Sequence, residues 1–255
     1  MSLDYKNEIY IGTVLLEKNR WAQERVPSII ISEWAQRFKD EGFDGIELWQ
    51  NHALLATEEE RGKLKESVSP IKIFNSYAKC EIEFENERRD SVELATLLSA
   101  NGMKFNFGKN SERHEEYCDT VKKWRSSLPD KFRFLCECHG GSTVEDLLVA
   151  RETFKQLGRD DYEIIIHGFG GTNESVSALF GLHGERITHI HASISTQTQM
   201  SNSDIQKRVE LLRELGFAGS FTLEFTECVR EDNVNVESLF LNAVRDMNIL
   251  RKYLM

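Results

Sequence analysis

The sequence predicts an α/β fold, a single (β/α)8 barrel of the TIM-barrel type, with residues 1–255 forming one domain. Three observations predict it. Short β-rich runs alternate with longer amphipathic stretches eight times along the chain. The runs end near residues 15, 48, 76, 107, 138, 167, 193 and 226, so they recur about every 25 to 33 residues, the size of one βα unit. The length, 255 residues, is also that of a barrel of this kind.

The elements follow in order. A strand over 9–15 leads to a helix over 32–40, with Ser32 as its expected N-cap and Ala35 and Phe38 three apart on its apolar stripe. A strand over 45–49 precedes a charged helix over 58–67 that runs toward Pro70. The strand over 71–77 feeds a helix over 89–100, whose apolar positions are Val92, Leu94, Ala95, Leu97 and Leu98. A strand over 103–108 and a helix over 115–128 come next, then a strand over 132–138 and a helix over 143–157 that ends at Gly158. The last units are strand 162–167 with helix 174–182, strand 187–193 with helix 204–215 ending at Gly216, and strand 220–226 with a tail helix over 236–254. No glycine-rich phosphate fingerprint follows the first strand, which disfavours an open doubly wound sheet. The tail helix has two readings: it closes the barrel, or it pairs subunits in a homo-oligomer.

Composition narrows the function classes. The chain is 40% hydrophobic and 29% charged, enough apolar material for a large core. Forty-two acids against 32 bases leave a net charge of -10, which repels a phosphate backbone and argues against nucleic acid as partner. Five cysteines (Cys80, Cys118, Cys136, Cys138 and Cys228) are an odd number in a chain this long, so reduced thiols and a cytoplasmic location are expected. No apolar run approaches the roughly 20 residues that span a bilayer, so no membrane is expected.

Strand parity identifies the candidate site. Side chains alternate along a strand, so in a barrel one parity faces the helices and the other the lumen. Phe132, Phe134, Cys136 and Cys138 oppose Leu135, Glu137 and His139. Ile164 and Ile166 oppose Ile165 and His167. Thr188, Ile190 and Ala192 oppose His189 and His191. Phe221, Leu223 and Phe225 oppose Thr222 and Glu224. Met103, Phe105 and Phe107 oppose Lys104, Asn106 and Gly108. Ile46 and Leu48 oppose Glu47 and Trp49. The polar lumen layer therefore holds Glu47, Asn106, Glu137, His139, His167, His189, His191 and Glu224. Polar residues fall late on the strands, at the end where barrel enzymes build their sites.

Buried carboxylates require a cation or strong hydrogen bonds. Glu137, His167, His191 and Glu224 stand on four successive strands, and their mixed oxygen and nitrogen donors suit Mn²⁺, Zn²⁺, Co²⁺ or Fe²⁺, with Mg²⁺ also considered. The alternative is a set of Glu–His pairs that neutralise one another. His139 and His189 are read as supporting donors or substrate contacts, and Trp49 as a stacking floor or a packing residue. The sulfurs of Cys136-x-Cys138-His139 face the helices by parity, which favours packing over metal binding. The turns at Gly140–Gly141 and Gly168–Gly171 are either phosphate cradles or plain turns.

Four segments carry a family resemblance. Gly42-Phe43-Asp44-Gly45-Ile46-Glu47-Leu48, Glu137-Cys138-His139-Gly140-Gly141, His189-Ile190-His191 and Leu223-Glu224 resemble the strand motifs of the xylose-isomerase-like barrels, a superfamily of sugar and sugar-phosphate isomerases and epimerases. The resemblance implies a divalent metal held by Glu137, His191, Glu224 and the strand-six position, where His167 replaces the usual acid. It implies a small sugar or sugar phosphate as substrate and proton transfer through an enediolate, with Glu137 and Glu224 as base and acid. Glu47, Asn106 and His139 would orient hydroxyls. The family often carries a charged residue soon after the strand-seven histidine, whereas residues 192–197 here are uncharged. Two other readings stand beside this one: a catalytically silent or metal-free sugar-binding barrel, and an endonuclease-IV-like metal-dependent hydrolase, which the negative charge disfavours.

Overall fold

Eight parallel strands close on themselves, each pairing with the next and β1 pairing with β8. The strands are β1 (Ile9–Gly12), β2 (Gly45–Trp49), β3 (Ile71–Asn75), β4 (Gly102–Phe105), β5 (Arg133–Glu137), β6 (Glu163–Ile166), β7 (Ile187–Ala192) and β8 (Ser220–Leu223). The helices between and after them are α1 (Ile31–Glu41), α2 (Asn51–Leu54), α3 (Glu58–Lys65), α4 (Glu85–Leu97), α5 (His114–Ser127), α6 (Leu147–Gln156), α7 (Asn173–His183), α8 (Asn202–Glu214) and α9 (Val236–Leu254). This is a (β/α)8 barrel. The structure, a computed structural model, describes residues 7–18, 20–158, 161–194, 200–226 and 235–255. Cys228 and the uncharged stretch from Ser195 to Gln197 lie outside the described residues.

Parity divides the apolar interior in two. The helix-facing set, including Ile46, Leu48, Met103, Phe105, Phe134, Ile164, Ile190, Phe221 and Leu223, belongs to the main core between sheet and helices. Tyr10, Ile73, Leu135 and Ile165 form a separate cluster inside the barrel. That inner cluster plugs the lower lumen, so polar side chains one layer higher on the same strands sit on an apolar floor. Each large apolar side chain buried this way contributes roughly 1.5–3 kcal/mol.

The tail helix α9 buries Leu239, Phe240, Ala243, Met247 and Leu250. It packs on α8, β8 and the 3-10 turn Thr13–Leu16, so its apolar stripe lies against its own barrel. Arg37 forks onto Glu237, and Arg251 reaches Asp44 at 2.9 Å, which ties α9 to α1 and to the approach of β2. Among the described residues, no helix is long and apolar enough to cross a membrane.

Several boundaries differ from expectation for local reasons. β1 stops at Gly12 because Thr13–Leu16 turns into a 3-10 segment. Ser32 is not the N-cap of α1: the helix starts one residue earlier from Ile30, and Ser32 gives its N–H and hydroxyl to Glu60 on α3. α6 begins at Leu147 rather than 143, because the Asp146 carboxylate accepts the N–H groups of Leu148 and Val149. α4 starts four residues early, at Glu85. Cys80, Cys118, Cys136 and Cys138 are all free thiols.

The turn into β8 is tightly enclosed. A Cβ on Gly219 would lie 2.0 Å from the carbonyl oxygen of Thr188 on β7, and the Gly219 carbonyl accepts the Asn7 side-chain amide at 2.6 Å. Gly219→Ala is therefore expected to lower the urea unfolding midpoint by the equivalent of about 1–3 kcal/mol. An unchanged midpoint would mean that β7 and this turn separate freely.

Candidate active site

The upper lumen is a layer of charged side chains around Glu137, the last residue of β5. Glu137 is 2% exposed. Its Oε2 accepts the Lys104 ammonium at 2.6 Å and the Asn106 amide at 3.0 Å. Its Oε1 faces His167 Nε2 at 3.0 Å and His191 Nδ1 at 3.2 Å. Burial alone would raise the Glu137 pKa, but Lys104, His167 and His191 hold it well below the usual carboxylate range. Lys104, fully enclosed on β4, is held charged: burial works against the ammonium, and Glu137 outweighs it.

Glu224, just past β8, has the opposite environment. It is 5% exposed, and no hydrogen bond reaches its carboxylate among the described residues. Two imidazole nitrogens stand beside it, His191 Nδ1 at 3.5 Å and His167 Nδ1 at 3.9 Å. Burial, reinforced by the charge of Glu137, raises its pKa even though His191 pulls the other way.

His191 joins the layers. Its Nε2 lies 3.2 Å from Glu47 Oε2, while its Nδ1 points at Glu137 and Glu224. Burial would strip its proton, but Glu47 and Glu224 raise its pKa well above the ordinary value. Charged in this way, His191 donates Nε2–H to Glu47 and Nδ1–H toward Glu137; a metal would take the place of the Nδ1 proton, with Glu47 behind the ring fixing its orientation. Glu47 also accepts the Asn75 amide at 2.7 Å. His189, completely buried, sits between Ser220 Oγ at 2.8 Å and Thr222 Oγ1 at 2.9 Å, and burial pushes its pKa down to about 4.

The donor set fits a divalent ion. Glu137, His167, His191 and Glu224 each offer one atom, and all four atoms lie within 4.8 Å of one another. Bonds of about 2.1 Å in a tetrahedral site place ligand atoms roughly 3.4 Å apart, and the contacts above straddle that spacing. Glu224, a buried carboxylate with no hydrogen-bond donor among the described residues, is what an added cation would satisfy.

Above the cluster opens a cavity of about 940 Å³, with Glu137, His167, His191 and Glu224 at its base. Trp21, Trp49, Tyr77 and Phe225 give it aromatic walls. A buried relay secures one wall. The Trp49 N–H donates to Thr13 Oγ1 at 2.9 Å, Thr13 meets His52 Nδ1 at 2.9 Å, and His52 Nε2 meets Glu17 Oε1 at 2.6 Å. The other Glu17 oxygen accepts the Ser28 N–H and hydroxyl, each at 2.8 Å, so the loop carrying Trp21 is closed at its base. A second cavity, of about 840 Å³, lies at the opposite end of the barrel beside Glu8, Arg133 and Glu163 and shares none of the cluster.

The expected residues thus fall into three places. Glu137, His167, His191 and Glu224 converge, with Asn106 joined to them through Glu137. Trp49 lines the wall, and His139, exposed beyond the end of β5, stands at the rim with its ring 6.3 Å from that of His167. Glu47 and His189 lie beneath the cavity and do not line it, so they reach a ligand only through His191. Two amides of the glycine turns are engaged within the chain: the Gly141 N–H goes to Glu145 and the Gly170 N–H to the His167 carbonyl. Cys136 is fully buried in the helix-facing core, where burial raises its thiol pKa well above the ordinary value. Lys104 is the central residue that sequence reasoning passed over, although its lumen parity on the fourth strand marked it. Tyr77 and the Glu17–His52 pair had no such signal.

By sequence, no family model and no curated protein matches the chain. Solved structures do match its fold. D-psicose 3-epimerase with D-tagatose from Clostridium cellulolyticum H10 superposes with a TM-score of 0.69 at 11% identity, covering 97% of this chain and 99% of that one. A xylose isomerase-like TIM-barrel protein from Mycobacterium smegmatis in complex with magnesium gives 0.68 at 13% identity, covering 98% and 99%. The IOLI protein with a bound zinc atom gives 0.67 at 15%, covering 96% and 99%. At 11–15% identity these likenesses show the fold, the closed (β/α)8 barrel expected from the strand spacing.

The Lys104–Glu137 pair is open to a direct test. Removing one partner of a buried ion pair typically costs about 3–5 kcal/mol. Lys104→Met is expected to destabilise the barrel by about that amount in urea unfolding. A loss below about 1 kcal/mol would show that Asn106, His167 and His191 suffice for Glu137.

Proposed function

We propose that the chain is a metal-dependent isomerase or epimerase of a small sugar or sugar derivative, with Glu137 and Glu224 moving the proton. The observation that carries this reading is the contrast between two buried carboxylates beside one cavity. Glu137 is saturated with donors and held ionised, whereas the described residues give Glu224 no hydrogen-bond donor and its proton is bound more tightly. Carboxyl groups whose environments separate their proton affinities are what acid–base catalysis requires. Fold neighbours that carry D-tagatose, magnesium or zinc support the same reading.

Glu137, His167, His191 and Glu224 would hold a divalent ion, which supplies Lewis-acid polarisation of a substrate carbonyl when bound. The remaining work belongs to the chain. One of Glu137 and Glu224 takes a proton from the carbon beside the carbonyl, and the other returns one. Lys104 keeps Glu137 ionised. Asn106 and His139 offer hydrogen bonds to hydroxyls from the base and the rim. Trp49 and Tyr77 present apolar surface to the sugar ring and limit water. Glu47 and His189 act through His191, fixing its orientation. Lys104 also favours a second reading. Its ammonium already supplies one cation to the cluster, as a barrel that binds a sugar without metal would need.

Two measurements separate these readings. Elemental analysis of protein purified without chelator is expected to find near-stoichiometric Mn, Zn, Co, Fe or Mg, lost in Glu224→Ala. Glu47→Gln, which removes only the support behind His191, is expected to weaken metal affinity about 10- to 100-fold. No metal, even after soaking, would favour the metal-free barrel. In a screen of keto-sugars for isomerisation or epimerisation, Glu137→Gln and Glu224→Gln are each expected to lose at least about 100-fold in kcat. Full activity in either variant overturns the assignment of proton transfer to these two residues.

A further inference from the structure

Charge is divided across the mouth of the barrel. The Glu137–Glu224 cluster occupies the β5 to β8 side. The loops after β1, β3 and β4 bring Arg25, Lys79 and Lys109 to the same cavity from the other side. None of these three has a carboxylate partner among the described residues. Nearby acids are engaged elsewhere: Glu83 is gripped by Arg113 at 2.9 and 2.6 Å, and Glu81 accepts the Tyr117 hydroxyl at 3.2 Å. In a chain of net charge -10, this uncompensated group of cations runs against the composition.

Two of the cations are held without being neutralised. The Arg25 guanidinium lies 5.5 Å from the Tyr77 ring centre, and the Lys79 ammonium 4.1 Å from that of Phe84. Cation–π contact places a charge while leaving its hydrogen-bond donors free for a ligand. Arg25 also has a φ of +48°, a left-handed conformation that non-glycine residues rarely adopt. Asn51 steadies it by donating its side-chain amide to the Arg25 carbonyl at 2.8 Å. The Gly141 and Gly170 amides across the cavity are committed within the chain.

We infer that the cavity binds a substrate whose end remote from the Glu137–Glu224 cluster carries a phosphate or a carboxylate, held by Arg25, Lys79 and Lys109. The sugar portion of this inference rests on the function proposed above; the anion contact rests on the cavity's own charge. The reacting carbonyl lies at the acidic side, and the anionic end spans to the basic side. A neutral sugar would leave three cations unmatched.

The test is calorimetric titration of the metal-supplemented 255-residue chain with three compounds that differ only at C6: D-fructose, D-fructose 6-phosphate and D-fructuronate. One of the two anionic forms is expected to bind about ten- to hundredfold more tightly than D-fructose, as charged hydrogen bonds imply. Which form binds more tightly identifies the anion as phosphate or carboxylate. The gain should shrink as salt is raised and vanish in the Lys79→Ala/Lys109→Ala variant, whose metal content should stay that of the wild type. Equal affinity for all three compounds overturns the inference, as does a gain that survives in the variant. If no ketose binds, inorganic phosphate separates the two readings. Saturable binding lost in the variant upholds the anion site and overturns the ketose, whereas no binding overturns the anion site.

Discussion

A carboxylate inside a barrel lumen must be met by donors, and the upper half of this barrel is organised around that requirement at Glu137. Lys104 and Asn106 come to it from β4 and the residue just beyond it, His167 from the end of β6, and His191 from β7. Each reaches Glu137 because its strand presents it inward, Lys104 from one layer below and Asn106, His167 and His191 from around it. Slipping any of these strands by one residue would send its donor outward and an apolar side chain inward. The electrostatic demand of one residue and the register of four strands are therefore the same constraint.

Below that layer the lumen is apolar, and above it the lumen opens into the cavity. Tyr10, Ile73, Leu135 and Ile165 close the lower lumen, so charges above them face low dielectric on one side. Glu47, His189, Ser220 and Thr222 form the transition, satisfying one another and presenting one imidazole, His191, upward. Burial lowers the pKa of His189 while its acidic neighbours raise that of His191, although the two are adjacent on the same face of β7. The difference is which carboxylates each ring faces, and it separates a neutral packing residue from a candidate ligand.

The mouth is asymmetric in the same way. Strands β5 to β8 end in donors for a cation, and the loops after β1, β3 and β4 end in cations. Between them the aromatic walls offer surface without charge. The Glu17–His52–Thr13 relay fixes the backbone of Trp49 and the base of the Trp21 loop, so that wall is set before any ligand arrives. Preformed walls reduce the ordering cost of binding.

The barrel and most of its inward-facing polar layer were legible in the sequence, because side-chain alternation has a period of two whatever the strand's neighbours are. Glu137, His167, His191 and Glu224 could be named from parity and from their position late on each strand. What parity cannot express is height and company. His189 and His191 share a face and differ only in depth; Glu47 and Trp49 likewise share a face, yet only Trp49 reaches the cavity. Lys104 had the right parity, but its value comes from Glu137, 33 positions away in sequence. The Ser32 cap failed for a related reason, since Glu60 on another helix competes for that side chain. Arg25, Lys79 and Lys109 lie in loops without periodicity, and only closure of the barrel brings them to one cavity. Local alternation is written into the order of residues, whereas which charges meet is decided by a closed sheet that sets distant strands side by side.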